Sequence, residues 1–437
     1  MRSRGYDREI LALAVPALGA LAADPLVSLV DTAFVGRLGP LPLAALGVNV
    51  AVFSFAFVVF NFLAYGTTPM VGRAFGRGDR AAAGRVVANA FALAVVVGVL
   101  ALAALQLLAV PILRLMGAGE ELLGPAAGYL RIRALAGPAL LLITAANGAF
   151  RGFQDTRTPL LVTVGVAAVN LVLDPLFIFT FGWGLVGAAW ATTLAQWAGA
   201  ATFVALVYGR LRARWQVPLT PPRLAELAPF LRVGWALLIR TFALIGAMTA
   251  ATAVATRVGV LEVAAHQVAA QLWLFLALIV DALAIAAQAL VARYVGEGRP
   301  EVARAVSDRL LVLGLGVGVA LGVAFWLARP WLPGLFSDDP AVVAAVLSVF
   351  PFVAIMQPLN ALVFVWDGIF MGIEDFSFLA VAMLLSAAVA AVLLASVLPF
   401  GWGLAGVWWA LVGLMLARAA TLAWRYRPAA GVFRRAT

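Results

Sequence analysis

The sequence predicts an all-α polytopic membrane protein with twelve transmembrane helices, arranged as two parallel six-helix repeats. Three observations lead to this fold class. Of the 437 residues, 65% are hydrophobic and only 11% are charged, whereas soluble domains carry about 25% charged residues. Apolar runs long enough to cross a bilayer, about 20 residues each, recur along the whole chain. The two halves also share motifs at a fixed distance. A membrane β-barrel would instead alternate polar and apolar residues.

Charge clusters and Gly/Pro turns divide the chain into these spans. The first follows a basic N-terminus, and we interpret it as a retained membrane helix. Its apolar stretch is longer than that of a signal peptide, and it has no clear A-x-A cleavage site. The predicted spans are 9–34, 43–66, 86–111, 123–148, 159–181, 184–208, 230–256, 262–290, 308–330, 341–371, 376–399 and 402–424.

Arginine positions predict the orientation of the spans. Every basic residue is Arg, and the formal net charge is +10. With the N-terminus inside, 22 of the 30 arginines fall on inner segments, including Arg434 and Arg435 of the tail, and 6 fall on outer ones. Basic loops face the cytoplasm. We therefore expect both termini to be cytoplasmic, in the inner membrane of a bacterium or archaeon. The basic excess reflects this topology and contact with the lipid bilayer, not nucleic-acid binding.

The residue types that the chain lacks exclude several kinds of chemistry. Without any Lys there is no Walker A loop and no Schiff-base site, so ATP-driven transport would need a separate subunit. The absence of Cys excludes disulfides and thiolate ligands. His266 is the only histidine, which argues against a His-based metal centre. No serine-hydrolase motif is present. We therefore expect no enzyme activity, no cofactor and no ATPase partner.

The two halves of the chain match at one offset. "VGRAFGRGD" at Val71 pairs with "VARYVGEGR" at Val291, and "GAFRGFQD" at Gly148 pairs with "GIFMGIED" at Gly368, each 220 residues apart. Convergence would not preserve one offset over such a length, so the chain is a duplicated six-span unit. Because six is an even number, both halves enter the membrane from the same side.

This duplication predicts how the chain is organised. We expect an N-terminal six-helix lobe over residues 1–208, a cytoplasmic linker over 209–229 and a C-terminal six-helix lobe over 230–437. In transporters built from repeats, substrate sites lie between the repeats near the middle of the membrane, and the repeats rock about them. A small-molecule site between the lobes is therefore expected.

Acidic residues inside the first lobe have no equivalents in the second. The repeat offset takes Asp31 to Ala251 and Asp174 to Leu394. A charged side chain at the centre of a membrane helix costs about 2.5–3.5 kcal/mol on insertion scales. Since the second lobe builds the same helices without these acids, the scaffold does not require them. This asymmetry favours a functional role over a purely structural buried pair.

Polar residues at helical spacing accompany the acids on spans 1, 5 and 6. Two carboxylates that face one pocket resist double ionisation, because burial and like charge both oppose it. Such a pair could load and unload one proton near neutral pH, and the same oxygens could instead hold Na+. The polar residues are Asp24, Ser28 and Asp31 on span 1, Asn170 and Asp174 on span 5, Thr192 and Gln196 on span 6, and Asn147 near the end of span 4.

Prolines within these spans are candidate hinges. Pro25 lies in span 1, and Pro175 directly follows Asp174. Each removes a helix hydrogen bond and favours a kink. Protonation of the neighbouring acids could therefore favour a different bend of span 1. A static kink is an equally good interpretation of both prolines.

Several motifs resemble the MATE family, multidrug and toxic compound extrusion, in its DinF-like branch. They are "PLVSLVDTAFVGRLGPLPLAALGV" (residues 25–48), "NLVLDPLFIF" (170–179), "AAHQVAAQ" (264–271) and "WDGIFMGIED" (366–375). The resemblance covers nearly the whole chain. It implies a V-shaped pair of six-helix lobes around a central cleft. It also implies export of organic, often cationic, compounds in exchange for H+ or Na+.

The same resemblance implies where the coupling cation binds. The family's positions in the first lobe fall on Asp31, Asn147, Asn170, Asp174 and Thr192. Asp24 departs from the pattern, because Gln or Glu is expected there. This extra acid affects the number of protons that the site can carry.

Asp367 and Gln196 are candidates for substrate contact or secondary coupling. Asp367 in span 10 corresponds to Asn147 in the repeat, and in other branches of the family an acid on this span takes part in coupling. The alternative is that Asp367 lies near the inner membrane face and is solvated there. Gln196 follows Thr192 by one helical turn and so points in the same direction.

Two further polar residues of the second half have more than one interpretation. Asp281 in span 8 could pair with Arg240 of span 7 as a structural bridge, which we prefer, or contact the substrate. His266 is expected to be a packing or capping residue rather than a pH sensor. Neither residue alone predicts a function.

The function predicted from these observations is secondary antiport by a monomer. Ion binding at Asp31 and Asp174 would shift the balance between outward- and inward-facing states. One alternative is a flippase for lipid-linked precursors within the same wider superfamily, which would favour a cleft lined with Arg; only Arg240 and Arg418 are candidates. A membrane-embedded enzyme would need a metal or nucleophile motif, and none is present.

Overall fold

A computed structural model describes residues 2–220, 222–427 and 431–433 of the chain. Within these residues the secondary structure is helical, and no strand occurs. Residues 428–430 and 434–437 of the predicted second lobe, including Arg434 and Arg435, lie outside the described residues. The all-α fold class predicted from composition is confirmed.

Ten helices are long and apolar enough to cross a membrane, and two bent helix pairs bring the number of spans to twelve, counted over the described residues. Each predicted span has a counterpart. The helices are α1 (Arg2–Gly36), α2 (Pro40–Gly76), α3 (Arg80–Leu115), α4a (Glu120–Ala134), α4b (Gly137–Gly152), α5 (Arg157–Thr180), α6 (Gly184–Trp215), α7 (Leu224–Val258), α8 (Val260–Gly296), α9 (Pro300–Ala328), α10a (Pro340–Ile355), α10b (Gln357–Gly372), α11 (Phe376–Val397) and α12 (Gly403–Tyr426).

The spans predicted as single helices over 123–148 and 341–371 are each broken. α4a and α4b meet at an angle of 47°, and α10a and α10b meet at 49°. Pro138 and Pro358 stand in the first turn of α4b and α10b. A proline within a helix lacks the N–H for the preceding turn and clashes with a carbonyl there, so it is placed at a helix start. The two prolines are 220 residues apart, and the break is therefore part of the repeat.

The chain forms two compact units, one over Val15–Arg232 and the other over Val233–Thr437 together with the segment that ends at Ala14. Helix α1 therefore begins in the second unit and continues into the first. Arg309 holds its start through Asp7, with N–O distances of 2.6 and 2.8 Å. The Tyr294 hydroxyl donates to Glu9 at 2.7 Å.

Close helix packing follows the same pattern in both units. In the first unit α4b packs on α2, and a Cβ on Gly148 would lie 2.9 Å from the Cα of Ala64. In the second unit α10b packs on α8, and a Cβ on Gly368 would lie 2.8 Å from the Cα of Ala284. Small residues allow helix backbones to approach closely in membranes. These contacts fix α4b and α10b against their neighbours.

The predicted linker over 209–229 is partly helical. α6 passes through a π-helical turn at Leu206–Leu211 and ends at Trp215. The indole of Trp215 stacks on Phe153 with ring centroids 4.7 Å apart. α7 then begins at Leu224. The non-helical connection between α6 and α7 is therefore shorter than the predicted linker, because α6 continues to Trp215, which packs against the first unit.

A candidate ion-binding site in the first unit

A cavity of about 250 Å³ lies in the first unit among α1, α2, α4a, α5 and α6. It contains six of the polar residues predicted from helical spacing. They are Asp24, Ser28, Asp31, Asn170, Thr192 and Gln196. Thr32, Ser54 and Thr163 add further hydroxyl groups to its wall. Three separate helices thus turn their polar faces toward one space.

The carboxyl groups of Asp31 and Asp174 lie within hydrogen-bonding reach of each other. Asp174 is fully buried behind Asp31, and Asp31 faces the cavity. Oδ1 of Asp31 and both side-chain oxygens of Asp174 are buried and accept no hydrogen bond from the described residues. Buried polar atoms without partners are rare and costly. A proton or cation between the carboxyls would satisfy them.

The end of α5 determines where Asp174 points. Pro175 follows it, and the helix then widens into a π-helical turn over Leu176–Thr180. Such turns often occur at functional sites. One turn earlier, the amide of Asn170 donates to the Thr192 hydroxyl at 3.3 Å, and that hydroxyl donates to the Ala188 carbonyl at 3.0 Å. Thr192 therefore ties α6 to the acid-bearing helix.

The three acids at this site differ in how far they are exposed. Asp24 is exposed and Asp31 is half-buried, whereas Asp174 on α5 is fully buried. All three belong to the same unit. An ion entering at Asp24 would therefore meet Asp31 before it met Asp174. Pro25 lies between the first two acids, within a helix that remains continuous from Arg2 to Gly36.

Arg133 and Tyr129 also line the cavity, although Arg133 is one of the six arginines counted on outer segments. The Nη1 of Arg133 donates to Oε1 of Gln196 at 3.1 Å. Its guanidinium carbon lies 5.0 Å from the centre of the Phe53 ring. Among the described residues no carboxylate lies within ion-pair distance of Arg133. Pro138 is the sequence signal that could have revealed this position. A helix break at this proline changes the direction of the chain, so that the last turn of α4a faces the cavity.

Asn147 does not line this cavity. It lies on α4b, and its Oδ1 is buried without a donor among the described residues. Its equivalent in the repeat is Asp367 on α10b. The structure therefore separates Asn147 from the lining residues, and its part in ion binding stays a prediction from the resemblance.

Asp367 in the second unit binds two arginines. Its Oδ2 accepts from Arg240 at 2.6 Å and from Nη2 of Arg418. Only 7% of the Asp367 side chain and 3% of the Arg418 side chain are exposed. The carboxyl is therefore buried in an ion pair and not solvated near the inner face. The pairing predicted between Arg240 and Asp281 stays a prediction.

His266 is buried in the second unit. Its Nε2 lies 3.2 Å from the Thr252 hydroxyl, and its ring meets that of Trp408 edge-on with centroids 5.9 Å apart. The Thr252 hydroxyl also lies 3.2 Å from the Met248 carbonyl. These contacts agree with the packing role expected for His266.

The MatE family model matches the chain over residues 16–176 and 237–397, two segments of equal length. The chain is 37% identical over 436 residues to "Protein DETOXIFICATION 44, chloroplastic" of Arabidopsis thaliana, covering 95% of this chain and 81% of that protein. It is 30% identical over 395 residues to "Multidrug resistance protein PmpM" of Pseudomonas aeruginosa, covering 86% and 80%. The crystal structure of MATE in the bent conformation superposes with a TM-score of 0.89 at 24% identity, covering 99% and 97%.

These similarities agree with the twelve spans and the duplicated architecture. The matched segments begin in the first and second halves of the chain and together cover most of it. Within the described residues, no group of three or more His, Cys, Asp or Glu side chains could hold a metal ion. The chain therefore belongs to the MATE family, whose members are multi-pass membrane transporters of small molecules, not enzymes, and need no cofactor.

Proposed function

We propose that this transporter is a secondary antiporter that exports organic, often cationic, compounds in exchange for H+ bound by Asp31 and Asp174. One observation carries the proposal: the two carboxyls face each other, and three of their oxygens are buried without a donor among the described residues. A shared proton would supply the missing donor. The name of the Pseudomonas aeruginosa relative, a multidrug resistance protein, supports the class of substrate.

The proximity of the carboxyls favours H+ over Na+ as the coupling ion. One proton between two carboxyls satisfies both with a single hydrogen bond. Na+ would need several oxygen ligands at once, from the two carboxyls and from Oδ1 of Asn170, whose Nδ2 donates to Thr192. Arg133 also lines the cavity, and its positive charge opposes a second cation more than it opposes a shared proton. Na+ coupling nevertheless stays an alternative that the experiment below separates.

Transport would follow from a difference in ion affinity between two states of the protein. A ligand shifts such an equilibrium only through its differential affinity for the two states. Loss of the ion from Asp31 changes the charge on α1 six residues after Pro25, and loss from Asp174 changes it directly before Pro175 on α5. Both prolines weaken the local helix hydrogen bonding. We infer that they are the hinges through which ion release alters the first lobe.

The proposal extends to the topology of the chain. The arginine distribution supports cytoplasmic termini in a multi-pass protein of a bacterial or archaeal inner membrane. The lobes over 1–208 and 230–437 would alternate access around a substrate site, and no separate ATPase subunit would be required. We expect a single chain to suffice. Mass measurement of the detergent-solubilised transporter would test this.

The flippase alternative is disfavoured by the arginines of the second unit. A pyrophosphate headgroup would need exposed guanidinium groups. Arg240 and Arg418 both donate to Asp367, and 12% and 3% of their side chains are exposed. They are therefore engaged inside the second unit, and the exporter remains the better proposal.

The experiment is efflux of ethidium from proteoliposomes under separately imposed pH and Na+ gradients. We expect a pH gradient to drive efflux, and Asp31→Asn and Asp174→Asn each to reduce it at least tenfold. Asp338→Asn is the matched control, because it makes the same change at an exposed position. Wild-type rates in both site variants would refute the site, and efflux driven by Na+ alone would replace H+ as the coupling ion.

A further inference from the structure

Arg133 carries a positive charge in the acidic cavity, yet only neutral groups hold it. Gln196 accepts one of its N–H groups at 3.1 Å, the face of Phe53 lies 5.0 Å away, and the buried Tyr129 hydroxyl is its neighbour. A guanidinium has five N–H donors. Among the described residues Gln196 accepts one of them, and the Tyr129 hydroxyl lies within hydrogen-bonding reach of another. Arg133 therefore retains unused donors inside a partly buried site.

The acids on the opposite side of the cavity lack hydrogen-bond donors, which Arg133 could supply. Asp31 and Arg133 line the same space, and the charge of Arg133 acts on both Asp31 and Asp174. Oxygen atoms of these carboxyls lack donors among the described residues. Surplus donors and surplus acceptors thus occupy one small cavity without meeting. A proton between the carboxyls would account for this separation, because it lowers their demand for a counter-ion.

The position of Arg133 allows it to change partners. It is the penultimate residue of α4a, directly before the break that Pro138 imposes. The 47° bend separates this last turn from α4b, which is fixed by its close contact with α2 through Gly148. The last turn of α4a and the residue after it are themselves held by hydrogen bonds to their backbone carbonyls from Gln106, Thr193 and Trp197. The change of partner is therefore a rotation of the long Arg133 side chain and needs no shift of the helix.

Among the described residues, no other cation near the cavity is placed to neutralise these acids. Helices α2, α3 and α6 pack against α4a. α2 and α6 carry no Asp, Glu or Arg between Pro40 and Val58 or between Gly184 and Ala205, and the charged residues of α3, which are Arg80, Arg85 and Arg114, do not line the cavity. The remaining charged residue of this part of α4a, Arg131, is exposed. α1 contributes Asp24 as well as Asp31, and α5 contributes Asp174. Arg133 is therefore the cation available to these acids from the cavity wall that the structure describes.

We propose that Arg133 is the internal counter-ion of the Asp31–Asp174 pair. When the coupling ion has departed, the guanidinium of Arg133 breaks its hydrogen bond to Gln196 and binds Asp31. This inference rests on the proposed ion site. When the proton leaves for water, the carboxyls gain a negative charge, and the guanidinium meets it with charge-assisted hydrogen bonds. The empty site is thus stabilised without a second cation, and the rotamer of Arg133 becomes linked to ion release.

The test is the pH dependence of ethidium efflux from proteoliposomes. Without the guanidinium the carboxyls should keep their proton to higher pH, so Arg133→Gln should move the midpoint of the pH profile upward by about one pH unit, the order expected for one nearby charge. Arg133→Lys should keep the midpoint near that of the wild type. Arg131→Gln, which removes an exposed charge two residues away, should leave it unchanged.

The absence of Cys from the chain provides a second test on protein that is already folded. Arg133→Cys should show the shifted profile. Modification with a positively charged aminoethyl methanethiosulfonate should restore the midpoint, whereas the neutral methyl reagent should not. Restoration by both reagents would indicate a steric effect and overturn the proposal.

Failure of this inference can be told apart from failure of the ion site. An unchanged midpoint in Arg133→Gln, with efflux abolished in Asp31→Asn and Asp174→Asn, would refute the counter-ion and keep the site. A folded Arg133→Gln protein without efflux at any pH would instead assign Arg133 a direct role in transport and also overturn the proposal. Wild-type efflux in both Asp variants would refute the ion site itself.

Discussion

The side chain of Asp31 on α1 meets that of Asp174 on α5, and the oxygens buried between them have no donor among the described residues. Two facing carboxyls are a poor way to hold helices together, since burial and like charge both disfavour their ionised forms. The second unit has Ala251 and Leu394 at the equivalent positions, both buried in its apolar core. The arrangement thus sacrifices stability in one lobe only.

The first prediction is that Asp174→Asn abolishes transport without lowering stability. The amide has nearly the same shape and removes a buried group that carries charge without a donor. We expect the thermal midpoint to stay the same or to rise. Intrinsic fluorescence of the 13 tryptophans reports it without a thiol dye. A fall of more than a few degrees would show that the acid pair serves packing instead.

The second prediction concerns the buried ion pair in the second unit. Asp367→Asn should destabilise the protein by about 3–5 kcal/mol, because it leaves the guanidinium of Arg418 buried without its carboxylate. Thermal unfolding in detergent measures the effect. Asp375→Asn is the control, since its ion pair with Arg425 at 2.9 Å is partly exposed and contributes about 0–1 kcal/mol. Equal effects of the two changes would contradict a structural role for Asp367.

The third prediction concerns the helix crossings that the repeat shares. Gly148→Ala and Gly368→Ala should each destabilise the protein by about 1–3 kcal/mol, because the added methyl group would press on backbone atoms of Ala64 and Ala284. Gly165→Ala in α5 is the matched control, with open space around its position, and should be neutral. Thermal midpoints that fall equally in all three variants would refute tight packing at the crossings.

The fourth prediction is that the start of α1 stays anchored across the physiological pH range. The hydrogen bonds from Arg309 lower the pKa of Asp7 below its ordinary value, and the charge of Arg309 adds to this against a smaller opposing effect of burial. A lowered pKa in the folded state means that the contact stabilises the fold above the unfolded pKa, about 3.9. This stabilisation is lost as the pH falls through the folded pKa.

Hydrogen exchange of the first turns of α1 measures this anchoring. After correction for intrinsic rates, protection at pH 8 and at pH 5 should be equal, whereas Arg309→Gln should lower it at both. Arg304→Gln on the same helix, whose carboxylate partner is Asp308, is the control and should leave α1 protected. A loss of protection between pH 8 and pH 5 in the wild type would contradict the sign given above.

Much of the site could be predicted from helical spacing. Asn170 with Asp174, and Thr192 with Gln196, lie one turn apart, so each pair was expected on one helix face, and the structure brings these helices together around Asp31. Asn147 was predicted from its place near the end of span 4 and from the family resemblance, and it lies outside the lining of the cavity. Arg133 was counted on an outer segment, because hydropathy does not reveal that the span over 123–148 is broken.

The sequence by itself determined the membrane class, the twelve spans, the duplication and the restriction of Asp31 and Asp174 to one half. These properties are set residue by residue, through the transfer of side chains from water to lipid and the repetition of motifs at one offset. The tertiary structure alone decided that Arg133 enters the cavity, that Asp367 joins Arg240 and Arg418, and that α1 is divided between two units. Each depends on how a helix is rotated about its axis and where it bends. In a membrane both the lipid-facing and the packed sides of a helix are apolar, so hydropathy alone leaves that rotation undetermined.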